Sequence, residues 1–427
     1  MRASRIFWLL IVSSALAPAG TLRADPVTNL AYAHVSSDTL SLTWDLQPET
    51  SYQVVLSTAE DFSINLASAV TAANRNTTAY FNLQPNTSHT FLVKVSTDED
   101  ANYLSISTYT LPFSPGAEGF GIFTSSASSA LQANGNPPGT VFVLEVSSDG
   151  FDSVAFSSAG PSDSSGLAPA LTAFGLQPNT TYQLGVSAVN FAGLPSTRTV
   201  LASTSTLAAV PGQITLISVD TTSVSLSWNP GGNPLLPPTS YQLRISTDPG
   251  FNVSSSSETF LTSASTLTLS PNTTYHFKVS AFNRAGGQSD FGQVRSTATL
   301  ALSPGSAGFG IFTTSAAAFL QANGNPPGTV FVLEVSSDGF DSVAFSSAGP
   351  SGFSGLAPAL AAFGLLPNTT YQLGVSAVNF AGLPSTRTVL ASTSTLARPP
   401  GTPTATSVGT SSITVSWSPN GNPLAPP

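Results

Sequence analysis

The chain has no cysteine among its 427 residues, one methionine and three histidines. Without cysteine there are no disulfides, no thiolate metal sites and no cysteine nucleophile, so an exported form relies on core packing alone. Charge is scarce too. Asp, Glu, Lys and Arg make up 8% of residues, against roughly 25% in ordinary soluble domains. The formal charge is −9 with no Lys/Arg cluster, which argues against nucleic acid and anionic membrane surfaces as partners. Runs of helix-forming Lys, Glu and Arg are missing, which argues against helical bundles. Beyond the first 24 residues no apolar run approaches the ~18 residues of a membrane span.

What is present is polar, small and turn-rich. Ser, Thr, Asn and Gly fill the positions that charge leaves, while 41% hydrophobic residues suffice for cores. The 34 Gly and 33 Pro suit many short strands joined by tight turns. Residues 1–24 read as a secretory leader: Arg2 and Arg5 lead, Ile6 to Leu16 form a short apolar core, and small Ala17, Ala19 and Ala24 follow. Cleavage is expected after Ala24, with Ala19 the alternative. Three of the twelve basic residues go with the leader, leaving nine against 21 acidic ones, a net −12.

The phrase Leu176-Gln177-Pro178-Asn179-Thr180-Thr181-Tyr182 returns at Leu269–Tyr275 and Leu365–Tyr371, and more faintly at Leu83–His89. After it Tyr182, Leu184, Val186 and Ala188 alternate with Gln183, Gly185 and Ser187, the period of a half-buried strand after a Pro-Asn turn. Residues 131–207 and 320–396 align without gaps at a spacing of 189 and differ at four positions. A 189-residue unit suits two β-sandwiches of ~95 residues. The expected divisions are 25–111, 112–207, 208–300, 301–396 and a fifth, truncated stretch 397–427.

Odd-numbered modules carry an early-strand Trp: Trp44, Trp228 and Trp417. Ala133 and Ala322 stand there in the even ones, and the expected fillers are Phe142 and Phe331 on the next strand, with Phe123 and Phe312 before it. In the third module strands are expected at Ile214 to Val219, Val224 to Trp228, around Tyr241 to Ile245, Thr266 to Leu269, from Tyr275 to Ala281, and Val294 to Thr299.

The early Trp, the Leu-x-Pro-x-Thr-x-Tyr corner ~47 residues later and the closing Val-x-Ala-x-Asn strand resemble fibronectin type III domains. The resemblance implies an all-β chain of tandem immunoglobulin-like sandwiches, about seven strands each. It weakens in the second and fourth modules, which lack the Trp, and in the first, where His89 replaces the corner Tyr. No Arg-Gly-Asp tripeptide occurs.

Little reactive chemistry stands out. His34, His89 and His276 form no pair at metal-ligand spacing, and His276 is expected to point outward. Glu145 and Asp149, with twins Glu334 and Asp338, are expected on a strand's outer face and in its following turn. The Gly119-Phe120-Gly121 run reads as edge strand rather than phosphate loop. No catalytic, cofactor-binding or metal residue is assigned, and no enzyme is expected. Six Asn-x-Ser/Thr tripeptides begin at Asn76, Asn86, Asn179, Asn252, Asn272 and Asn368; the repeated corner favours a turn role for four of them over glycosylation.

The sequence therefore points to a secreted or cell-surface, monomeric, extended array without catalysis, a stalk or an adhesive surface for an extracellular protein or glycan ligand. The alternative is a set of spacer modules of an exported polysaccharide-active or other hydrolase, its catalytic domain beyond Pro427.

Overall fold

The computed structural model describes residues 27–97, 103–353 and 355–424. The leader expected at 1–24 and the acidic triplet Asp98-Glu99-Asp100 lie outside them. Every regular element among the described residues is a β-strand. They group into two compact units, one running up to Ala208 together with Asn283–Gly287, the other comprising the rest from Ala209.

In the second unit, alternation builds a sandwich between Ile214 and Ala298. Ile214–Val219, Val224–Trp228 and Ser263–Thr266 form a three-stranded antiparallel sheet. The facing sheet has four strands in the order Ser255–Thr259, Ser240–Ser246, Thr274–Phe282 and Arg295–Ala298. Leu226 and Trp228 on one sheet and Leu243 and Phe277 on the other are all buried. The Trp228 and Tyr241 rings meet edge-on at 5.7 Å. The same three-plus-four arrangement recurs at 305–394 in this unit, and at 31–109 and 116–205 in the first.

Three strand expectations shift. The run expected from Thr266 to Leu269 is instead Ser263–Thr266, because Thr268 takes a left-handed φ of 62° that cannot continue a ladder. The closing strand is shorter, Arg295–Ala298. Ser255–Thr259, pairing Thr259 with Tyr241, was not expected at all. It reads Ser-Ser-Ser-Glu-Thr and lies almost wholly exposed at a sheet edge, so no apolar period betrays it.

The even modules solve the missing Trp in half the expected way. Phe142 and Phe331 are fully buried, and Ala133 and Ala322 pack against the same cores. Phe123 and Phe312 are not fillers; they stay 51% and 54% exposed. Phe123 begins a tight turn in which its amide donates to Ser126 O at 3.0 Å, and its ring lies outside the sandwich over Gly121.

The hairpin Thr404–Val408 with Ile413–Ser416 repeats the opening pair of the third module, with every residue exposed, Trp417 at 60%. The first strand of each opening pair carries a bulge, as between Leu216 and Ser218. Bulges of this kind twist an edge away from further pairing.

Candidate functional site

The corner phrase folds as its residues require. Asn86, Asn179, Asn272 and Asn368 all take left-handed φ of 43–48°, a region Asn tolerates better than other side-chain-bearing residues. The following Tyr turns inward and its hydroxyl accepts from the turn: Gln177 N to Tyr182 at 3.1 Å, Ser270 N to Tyr275 at 2.9 Å and Leu366 N to Tyr371 at 3.2 Å. In the first module no Tyr is available. His89 is buried, and its Nδ1 bonds Thr87 O at 2.9 Å, which makes Nδ1 the protonated nitrogen. Burial pushes the His89 pKa below the ordinary imidazole value, with the Thr87 carbonyl opposing.

The corner Asn has a second task that the sequence did not reveal. Within the first unit, Asn86 Nδ2 donates to Thr140 Oγ1 at 2.8 Å and its Oδ1 accepts from Phe191 N at 2.8 Å. Asn190, one residue before Phe191, donates back to Thr110 O at 3.3 Å. Within the second unit the same clamp recurs: Asn272 Nδ2 to Thr329 Oγ1 at 2.7 Å, Phe380 N to Asn272 Oδ1 at 2.7 Å, and Asn379 Nδ2 to Thr299 O at 3.1 Å. Asn86 and Asn272 are buried, so the amide nitrogen that a glycan would occupy is engaged. Both contacts run from one sandwich to the next, 54 or more residues along the chain. The repeat shows the Asn but not this partner, because Thr140 and Phe191 lie in different loops.

On the outer face of the second module's four-stranded sheet, Glu145 faces Gly185 across the ladder. Arg198 reaches over both, its Nε 2.5 Å from Glu145 Oε2 and its guanidinium 4.3 Å from the Phe151 ring centroid. Gly185 makes room for it: a Cβ there would come within 2.6 Å of Arg198 Cδ. Glu334, Gly374, Arg387 and Phe340 repeat the cluster in the fourth module. Glu145 is on the outer face as expected, but paired. Asp149, in the turn below, accepts from Ser147 Oγ at 2.6 Å and Ser153 Oγ at 2.5 Å. These hydroxyls hold its pKa down at about 2, and Asp338 is held at about 2 by Ser336 and Ser342.

In the third module the equivalent ladder positions are Arg244 facing Lys278. Both cations lie over Phe291, at 4.9 and 4.6 Å from its centroid, and Lys278 also lies 4.1 Å from that of Phe251. His276 points to the same outer face, half-buried. Among the described residues no three His, Asp or Glu side chains gather to hold a metal ion. A shallow cleft of about 490 Å³ runs between Ser36, Leu111, Phe113, Asn134 and Thr197, lined by hydroxyls, amides and apolar groups without an acid or base.

Comparison with known proteins finds one family match and distant structural neighbours. The fibronectin type III domain family matches at residues 209–297. A solved structure of the chicken CNTN1 FN1-FN3 domains aligns over 64% of this chain and 99% of its own at 17% identity, with a TM-score of 0.21. A two-domain fibronectin type III segment from chicken tenascin aligns over 43% of this chain and 100% of its own at 12% identity, with a TM-score of 0.30. No curated protein matches. Residues 209–297 are a fibronectin type III domain, and the chain around them is a tandem of β-sandwiches with the same three-plus-four strand arrangement.

Proposed function

We propose that this tandem of fibronectin type III modules is an exported, non-catalytic array, a stalk or adhesive surface in which the first and second modules, and the third and fourth, are held in fixed pairs and present their faces to an extracellular protein or glycan. The observation that carries the reading is the clamp at Asn86 and Asn272, in which both ends of a buried amide are bonded to the following sandwich. Two consecutive modules joined this way move as one piece, which a stalk needs and a flexible tether does not. Scarcity of charge and of ionisable side chains in the cleft fits a surface that binds rather than reacts.

The test is backbone nitrogen relaxation of the whole chain. The first and second modules should share one rotational correlation time, and so should the third and fourth. Independent tumbling within either pair would overturn the reading of a fixed array.

A further inference from the structure

We infer that the outer face of the third module's four-stranded sheet is a binding site for an acidic glycan, with Arg244 and Lys278 as the groups that receive its carboxylates or sulfates. The inference refines the adhesive side of the function proposed above and rests on it. The ground is a reversal of charge at one fixed point of a repeated fold. The ladder positions that hold Glu145 and Gly185 in the second module, and Glu334 and Gly374 in the fourth, hold Arg244 and Lys278 in the third. In the second and fourth modules Arg198 and Arg387 neutralise the Glu across the sheet. In the third that Arg position is Phe291, so the compensating charge is gone and two cations remain.

Like charges directly opposite on a sheet repel, and neither cation has a carboxylate within ion-pair distance among the described residues. Phe291 and Phe251 relieve part of that repulsion through their ring faces. They also fix the long side chains, which lowers the entropy lost when a ligand anion bridges them. Around them Gln242 accepts from Arg244 Nε at 3.2 Å and from Gln288 Nε2 at 3.1 Å, and Gln288 also reaches Ser280 Oγ at 2.7 Å. These amides and hydroxyls suit the hydroxyls of a sugar acid. Glu258, opposite Gln242 on the ladder, bounds the site on one side, and Asp248 with His276 bounds it on the other.

Two features favour a glycan over an acidic peptide. The cations lie on the two central strands, away from either edge, and so offer no backbone groups for strand addition. The remaining donors and acceptors are side chains only. The chain as a whole carries a formal −9, which repels a polyanion and leaves this face as its landing place.

The experiment is calorimetric titration of the whole chain with oligogalacturonate, a sulfated chondroitin oligosaccharide, neutral dextran and polyglutamate at about 0.01 M salt, where charges act over ~30 Å. Binding of the uronate or the sulfated sugar is expected, the preference between them telling which anion the site prefers. Arg244→Glu should weaken it at least tenfold and Lys278→Gln severalfold. Glu already occupies the equivalent place in the second and fourth modules, so Arg244→Glu is compatible with the fold, checked by an unchanged melting midpoint. Equal binding of neutral dextran, or unchanged affinity in Arg244→Glu, overturns the site. Tighter binding of polyglutamate overturns the glycan. Absence of binding to every probe overturns the site while leaving shared tumbling of the modules, and with it the array, untouched.

Discussion

Replacing Asn272 by Ala removes both arms of one clamp at a position with an internal reference elsewhere in the chain. The substitution deletes the bond from Nδ2 to Thr329 Oγ1 and strips Phe380 N of its acceptor, each at 2.7 Å. A net loss of about 0.5–1.5 kcal/mol for each bond gives roughly 1–3 kcal/mol. A further ~1 kcal/mol comes from forcing Ala into left-handed backbone, since φ is 43°. Asn368 supplies the correction: its φ is 48°, and its side chain is exposed and makes no hydrogen bond among the described residues, the backbone N–H alone donating to Leu396 O at 3.4 Å. Asn368→Ala therefore carries the backbone cost alone, and the difference between the two variants isolates the clamp at roughly 1–3 kcal/mol. Calorimetric melting of the whole chain, resolved by hydrogen exchange in Thr274–Phe282 and Val330–Ser336, reads the difference. For domains of this size ~1 kcal/mol moves the midpoint by about 4–8 °C. Asn272→Ala should lower protection in both strands, Asn368→Ala in neither beyond its own module. Equal costs for the two variants within about 0.5 kcal/mol would show that the amide does not couple the sandwiches.

Trp228→Ala should cost the third module about 3–5 kcal/mol, since the ring is buried against Tyr241; a melting transition unmoved by more than a degree or two would show otherwise. Gly185→Ala should lower the second module's stability by about 1–3 kcal/mol through overpacking, because the new Cβ meets Arg198 and Phe151, and urea titration with no change in midpoint would contradict that. His89 resists protonation in the folded state, so the unfolded chain binds the extra proton first; stability is then complete above pH ~6.5 and falls as pH drops through that value toward the depressed folded pKa. Thermal melts of the wild type and His89→Gln from pH 7.5 to 5 check this, the variant losing the extra acid sensitivity. The Asp149 carboxyl should titrate by carbon NMR near about 2, and Ser153→Ala should raise that midpoint toward the ordinary carboxylate range.

Much of the fold was legible before any coordinates because its signals are local. Alternation in Tyr275-x-Phe277-x-Val279-x-Ala281 fixes which face of a strand is apolar, and a Pro-Asn turn fixes where the strand starts, so the Tyr corner could be read from seven residues. The charge partner of Glu145 was not legible, since Arg198 lies 53 residues away and is brought near only by strand pairing. Ser255–Thr259 escaped because an exposed edge strand has no buried face to impose a period. Phe123 was misplaced because the turn at Ser126 swings it out of the core, which composition does not encode.

The sequence by itself determined the repeat, the sandwich and the corner, all set by contacts between near neighbours or by a period of two. The tertiary structure alone decided what the corner Asn is for and where charge is left over. Asn86 finds Thr140, and Arg244 finds Lys278, only after sheets have formed and loops far apart in sequence have been brought within hydrogen-bonding or ladder distance. Those pairings depend on the distance between atoms in space, which the order of residues along a strand leaves open.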